Sequence, residues 1–155
     1  MLFVCMGNIC RSPAAEGVML SCLAARRLAG RVIVDSAGTI DYHAGEPADA
    51  RMRRAAAGRG YELASTARRV RLEDLERFDL VVAMDRSNLE ELRELAAAAE
   101  PGAEGKLRLL SEFLPQGAPR DVPDPYWGGE RGFDQVLDML EQACPRILEE
   151  LLGDV

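Results

Sequence analysis

The strongest chemical signal in this 155-residue chain lies near its N-terminus, in Val4-Cys5-Met6-Gly7-Asn8-Ile9-Cys10-Arg11-Ser12-Pro13, where five residues separate Cys5 from Arg11. A cysteine placed where a short apolar run, Leu2-Phe3-Val4, meets a helix start is surrounded by backbone N–H groups and the positive end of a helix dipole. Both favour thiolate over thiol. Arg11 adds a planar guanidinium able to hold two oxygens of one phosphate at once. Gly7 and Asn8 tolerate the left-handed backbone that turns successive N–H groups inward into an anion nest. Ser12 is spaced to donate a hydrogen bond to the Cys5 sulfur. The combination describes a nucleophile on the floor of a phosphate cradle.

Cys-x5-Arg alone is a common pattern, and two other readings compete with it: small core residues, or half of a metal site. A closed zinc site takes four ligands. The chain has one histidine, His43, which reads as a surface residue, and the remaining cysteines, Cys22 and Cys144, stand alone in helical patterns and read as core. No metal ligands and no cofactor are therefore assigned. The core reading of Cys5 weakens because a strand precedes it, a glycine follows within the loop, and Ser12-Pro13 opens a helix.

A thiolate attack on a phosphate ester still requires a proton for the leaving oxygen. The longest irregular stretch, residues 115–131, contains Asp121-Val122-Pro123-Asp124-Pro125-Tyr126-Trp127. Asp-Pro is an ordinary turn former. Asp124, held between two prolines and followed by two aromatics, becomes the candidate acid because the cradle needs such a partner.

These residues need a scaffold, and alternating elements supply one. Strands are expected at Leu2–Val4, Arg31–Val34, Leu80–Met84 and Lys106–Leu110. Helices are expected at Ala14–Leu28, with Ser12 as N-cap and Pro13 at the first helical position, at Pro47–Ala57, Leu72–Arg77, Ser87 to about Ala99, and Gly132–Leu152. Continuous apolar strands alternating with helices imply an α/β fold with a mostly parallel sheet covered on both faces. Ligands bind such sheets outside the carboxyl ends of the strands, where the Cys5 loop falls.

The length fits one domain over 1–155, burying about 70% of the unfolded chain's surface. The net charge of −7 argues against a general nucleic-acid binder. All but one of the 19 basic residues are arginine, the exception being Lys106, which reads as a compositional bias. No apolar stretch approaches the roughly 20 residues of a membrane span, and the start of the chain does not resemble a secretory leader. Four cysteines without such a leader suggest reduced thiols, with the cytoplasm as the expected location.

The chain resembles the low-molecular-weight protein tyrosine phosphatases. The resemblance rests on Cys5-Met6-Gly7-Asn8-Ile9-Cys10-Arg11-Ser12-Pro13, Asp35-Ser36-Ala37-Gly38-Thr39, Ala83-Met84-Asp85 followed by Asn88-Leu89, and Asp124-Pro125-Tyr126. It implies a three-layer sandwich with a four-stranded parallel sheet. It also implies a metal-independent reaction in which Cys5 forms a cysteinyl phosphate, Arg11 and the loop from Met6 to Cys10 hold the phosphoryl oxygens, and Asp124 serves as acid and then base. The substrate would be a phosphotyrosine protein or peptide and the product inorganic phosphate.

By the same resemblance, Asn8 and Ser36 shape the loop, Ser12 joins the loop residues at the substrate, Tyr42, Tyr126 and Trp127 wall the cleft, and Cys10 can form a reversible disulfide with Cys5. Ser65 stands where many relatives have a histidine supporting the loop asparagine. Tyr126-Trp127 replaces the commoner tyrosine pair.

Three alternatives share part of this pattern. Arsenate reductases of this fold carry further cysteines near Met84-Asp85-Arg86-Ser87-Asn88, which has none. Arginine phosphatases favour threonine at the position of Ile9. A non-catalytic phosphopeptide-binding module would lack the nucleophile or the acid, and Cys5, Arg11 and Asp124 are all present.

Overall fold

The computed structural model describes residues 1–153. Its elements run β1 (Leu2–Cys5), α1 (Arg11–Ala25), β2 (Asp35–Gly38), α2 (Ala50–Ala57), α3 (Leu72–Arg77), β3 (Val81–Ala83), α4 (Arg86–Ala96), β4 (Leu107–Leu109) and α5 (Glu130–Leu152). Single 3-10 turns lie at Ala103–Lys106, Leu110–Phe113 and Pro125–Trp127. The four strands form one parallel sheet in the order β2-β1-β3-β4, pairing Leu2 with Asp35 and Val81, and Val81 with Leu107. The expected four-stranded parallel α/β architecture is present.

Side-chain alternation along β1 divides the core. Phe3 and Cys5 face the layer built from α1, α2 and α5, while Leu2 and Val4 face α3 and α4. Every residue of β1 is buried, as a central parallel strand covered on both faces requires. Cys5 is thus delivered to the α1 side, at the carboxyl end of the strand flanked by β2 and β3.

Three expectations need correction. Arg31–Val34 is not a strand; β2 follows it, at Asp35–Gly38, and Ile33 is exposed. Apolar β-branched residues marked the wrong four positions because the real strand is built of small side chains. A Cβ at Gly38 would lie 2.6 Å from the Met6 carbonyl oxygen, so bulk is excluded where β2 passes the Cys5 loop.

Helix α1 begins at Arg11, not Ala14, so Cys10 holds the N-cap position and Ser12 lies inside the first turn with its hydroxyl free for other work. The helix ends at Ala25 because Arg27 turns left-handed (φ 59°) and the Leu28 N–H reaches back to the Leu23 carbonyl, a Schellman closure. Helix α2 starts later than Pro47 because Asp49 caps it, accepting from the Arg51 and Met52 N–H groups.

An ion cluster ties β2 to α3. Arg68 spans Asp35 and Asp74, and the Arg71 N–H adds a third hydrogen bond to Asp74. Burial pushes the Asp74 carboxyl up, but the Arg68 and Arg71 hydrogen bonds prevail and hold it below its ordinary range. Its stabilising contribution is therefore complete above the ordinary aspartate pKa of about 4 and is lost as pH falls through the lower folded-state value. In urea titrations, Asp74→Asn should unfold earlier than wild type at neutral pH, and the gap should close in acid; a constant gap would contradict the ion pairing. Leu140, fully buried in α5, should cost about 2–5 kcal/mol when cut to Ala. The half-exposed Leu20 should cost within about 0.5 kcal/mol.

Candidate active site

The loop from Met6 to Cys10 leaves β1 and enters α1 in five residues. It is held from the side by β2 and its continuation: the Thr39 N–H donates to the Cys5 carbonyl (2.9 Å) and the Ile40 N–H to the Met6 carbonyl (3.1 Å). Asn8 makes the turn with φ 57°, the left-handed conformation that asparagine tolerates better than most residues. This directs its backbone N–H at the Cys5 sulfur, 3.3 Å away.

The Asn8 side chain is buried and fully used. Its Nδ2 donates to Ser12 Oγ (2.8 Å) and Ser36 Oγ (3.0 Å), and its Oδ1 accepts the Arg68 N–H (3.0 Å). Because Ser12 Oγ accepts from Asn8, its own proton is free for the Cys5 sulfur at 3.0 Å; the alternative acceptor, the Ala37 carbonyl, lies at 3.4 Å. A deprotonated sulfur would thus have two donors aimed at it.

The Ser36 hydroxyl donates a hydrogen bond to Glu16 Oε2 (3.3 Å). Burial raises the Glu16 carboxyl, with the neighbouring Ser65 and Ser36 hydroxyls pulling the other way. Ser65 thus lies beside Glu16 at the edge of this network. The third Asn8 anchor is a backbone N–H of the Arg68 segment, so the amide is satisfied without a histidine.

Arg11 is 3% exposed, and a buried guanidinium requires fixed counter-charge. Its Nη1 donates to Asp85 Oδ2 (2.6 Å) and to the Val122 carbonyl (3.0 Å). Its Nη2 has the longer approach to Asp124 Oδ2, at 3.6 Å. Burial works against the Arg11 charge, and Cys5, Asp85 and Asp124 outweigh it, raising its pKa further.

Asp85 caps α4 through the Asn88 N–H (2.8 Å), and Asn88 Oδ1 accepts the Asp85 N–H (3.2 Å). Asp85 was not among the assigned site residues. The Asp85-x-x-Asn88 capping pattern directly after a strand was the signal that could have found it.

Asp124 reaches the site because its loop docks where β3 runs into α4: the Val122 N–H donates to the Met84 carbonyl (2.9 Å), and Asp121 pairs with Arg86. Asp124 Oδ1 accepts the Tyr126 N–H (3.1 Å), leaving Oδ2 to face Arg11. The thiol, the guanidinium and the carboxyl share one cleft of about 280 Å³.

Met6, Gly7, Ile9, Cys10, Tyr42, Tyr126 and Trp127 also line it. Asn8, Ser12 and Ser36 do not; their side chains lie beneath the loop. Tyr42 and Trp127 are each about four-fifths exposed, which puts them at the mouth of the cleft.

Two lining residues were missed. Ile40 follows the strand motif, and His43 is part of the wall instead of the outer surface. The His43 ring stands edge-on to Tyr42 (4.8 Å between centroids), its Nδ1 lies 2.8 Å from Glu46 Oε2, and a Cβ at Gly7 would meet its Cδ2 at 3.2 Å. Gly7 is thus small where the histidine closes over the loop. Cys5 and Cys10 are both free and buried. Burial, with Asp49 and the Cys5 sulfur nearby, pushes the Cys10 thiol far up. Among the described residues no cluster of three or more His, Cys, Asp or Glu is placed to hold a metal ion.

The low molecular weight phosphotyrosine protein phosphatase model matches residues 1–155. A low molecular weight protein-tyrosine-phosphatase of Streptomyces coelicolor is 45% identical over 148 residues, covering 94% of this chain and 89% of that one. A protein tyrosine phosphatase of Entamoeba histolytica, crystallised with Hepes in its active site, superposes with a TM-score of 0.91 at 42% identity, covering 99% and 97% of the two chains. A Drosophila arginine phosphatase superposes at 0.92 with 32% identity, covering 99% and 98%. With its whole length matched, the chain belongs to the low molecular weight phosphotyrosine protein phosphatases, a family of cysteine-based hydrolases.

Proposed function

We propose that the protein hydrolyses phosphotyrosine in proteins or peptides through a covalent cysteinyl phosphate, with residues 1–155 acting as one phosphatase domain. The observation that carries this reading is the convergence on Cys5 Sγ of the Ser12 hydroxyl and Asn8 N–H, with Arg11 and Asp124 3.6 Å apart in the same cleft.

The Cys5 thiolate attacks phosphorus as the bond to the tyrosyl oxygen breaks, and the departing electron pair takes a proton from Asp124 Oδ2. Asp124 Oδ1 is engaged by the Tyr126 N–H, so Oδ2 is the oxygen with freedom to carry that proton. Arg11 Nη2, the less committed end of the guanidinium, meets the phosphoryl oxygens, a charge-stabilising role that in other phosphatases falls to a metal ion. Asp124, now a carboxylate, takes a proton from the water that attacks the cysteinyl phosphate. Inorganic phosphate leaves and the thiolate returns, stabilised by Ser12 and Asn8.

Selectivity for tyrosine follows from the walls. Tyr42, Tyr126, Trp127 and Ile40 offer aromatic and apolar surface to a phenyl ring. The short side chain of phosphoserine cannot bring its phosphoryl group to the floor while filling that slot. The likeness to an arginine phosphatase supports a second reading, phosphoarginine. Ile9 argues against it, because its buried apolar side chain lines the floor and offers no acceptor to a guanidinium N–H. Cytoplasmic location and a protective Cys5–Cys10 disulfide complete the proposal.

The protein should hydrolyse p-nitrophenyl phosphate with no added metal, keep its rate in chelator, and be blocked by vanadate. Cys5→Ser should abolish turnover, and activity retained by that variant would refute the mechanism. Asp124→Ala should slow phosphotyrosine-peptide turnover by about 10²–10⁴-fold; an unchanged rate would remove Asp124 from the chemistry. On matched peptides phosphotyrosine should be preferred over phosphoarginine, and Ile9→Thr should shift the ratio toward phosphoarginine. A wild-type preference for phosphoarginine would overturn the tyrosine assignment.

A further inference from the structure

Arg51 lies outside the cleft, on the first turn of α2, and nothing in the mechanism above uses it. Its contacts nevertheless connect the phosphate-binding loop to the turn that carries Asp124. The Asp49 N–H donates to the Ile9 carbonyl (2.8 Å), which fixes Asp49 to the phosphate loop. Both Asp49 carboxylate oxygens take the Arg51 guanidinium, Oδ1 from Nε (3.1 Å) and Oδ2 from Nη2 (3.0 Å), a bidentate pair that orients the guanidinium plane.

The same Nη2 donates to the Tyr126 carbonyl (3.3 Å), and the guanidinium lies 5.3 Å from the Tyr126 ring centroid and 5.0 Å from that of Phe133. Tyr126 in turn gives its N–H to Asp124 Oδ1. Among the described residues, Arg51 is the side chain from another element that hydrogen-bonds the Pro125–Trp127 turn.

We propose that Arg51, oriented by Asp49, is a positioning residue for Asp124: it clamps the Pro125–Trp127 turn to the phosphate loop, so that Asp124 Oδ2 is aimed at the leaving oxygen when a phosphoryl group fills the cradle. This rests on Asp124 being the general acid. Two anchors flank Asp124 in sequence. Val122 is tied to Met84, the residue after β3, and Tyr126 is tied through Arg51 to the loop holding the substrate. Without the second, the carboxyl keeps its attachment to the sheet but loses its registration against the phosphate loop, and misplacing a reacting group by about 1 Å can cost as much as 10²-fold. Arg51 and the Asp49–Ile9 contact together set the distance between the acid and the cradle.

Acid positioning has a signature that a merely structural role lacks. Nitrophenolate leaves with little help from a proton, whereas unsubstituted phenolate needs one. The experiment measures kcat/KM, which reports P–O cleavage, for p-nitrophenyl phosphate and phenyl phosphate in wild type, Arg51→Ala, Arg51→Gln, Asp124→Ala and the Arg51→Ala/Asp124→Ala double variant. Arg51→Ala should lower kcat/KM for phenyl phosphate about fivefold to tenfold more than for p-nitrophenyl phosphate, within the range of one positioning contact. Arg51→Gln keeps a donor for the Tyr126 carbonyl and should recover part of that difference.

The double variant should match Asp124→Ala within about twofold on both substrates, because a clamp has nothing left to position. Equal losses on both substrates in Arg51→Ala and Arg51→Gln, or a double variant whose losses multiply, would overturn the proposal. Substrate selectivity in Asp124→Ala without any in the Arg51 variants would leave Asp124 as the acid and refute Arg51 alone. Absence of selectivity in Asp124→Ala would refute the acid assignment and the clamp with it.

Discussion

A single buried amide holds the site together. Asn8 is 2% exposed, bends the loop in a left-handed conformation and uses both side-chain donors and its side-chain oxygen in hydrogen bonds. A buried polar group left unsatisfied costs about 1–3 kcal/mol, so the Asn8 amide fixes the positions of Ser12, Ser36 and the Arg68 backbone relative to one another. These three belong to α1, β2 and the segment before α3. The sheet and its helices converge on the loop through this residue. The consequence is chemical as well as structural, since the turn at Asn8 aims one donor at Cys5 and the Asn8 amide leaves the Ser12 proton free to be a second.

Charge balance imposes the next constraint. Arg11 sits almost fully out of solvent at the start of α1, and its charge is supportable only beside Asp85 and Asp124. The two carboxylates are held differently. Asp85 is locked by its own helix cap and binds Nη1 at 2.6 Å, whereas Asp124 approaches Nη2 at 3.6 Å from a loop. One carboxylate fixes the guanidinium; in the proposed mechanism the other gives up its approach to Arg11 when a phosphoryl group binds and acts on a proton. The proposed clamp extends this division of labour, because the Asp49–Arg51 pair binds the Tyr126 carbonyl beside Asp124 without entering the cleft.

Much of this was legible in the residues. Cys5, Gly7 and Arg11 point to their chemistry because they fall together where a strand runs through a short loop into a helix, and Asp124 because prolines flank it in the longest loop. The parallel sheet follows from the continuous apolar runs Leu2–Val4 and Leu80–Met84 alternating with helical segments.

What escaped the reading has physical reasons. Strand β2 is Asp-Ser-Ala-Gly, small because the Met6 carbonyl passes close to Gly38, and β-propensity favours its apolar neighbours instead. Ser12 reads as a helix cap from local preference, but tertiary contacts assign its hydroxyl to Cys5 and Asn8, and Cys10 takes the cap position. His43 approaches Tyr126 and Asp85 pairs with Arg11, partners distant in sequence; the local cap at Asn88 marks Asp85 as a held carboxylate but does not name Arg11 as its partner.

The central claim is that phosphorus is transferred to the Cys5 sulfur. The most direct measurement is mass spectrometry of peptides from enzyme quenched in acid during turnover of p-nitrophenyl phosphate, using Asp124→Ala to slow hydrolysis of the intermediate. The account predicts one phosphoryl group on the peptide containing Cys5, absent from Cys5→Ser. A phosphoryl group on another residue, or none on a variant that still releases nitrophenolate, would contradict it.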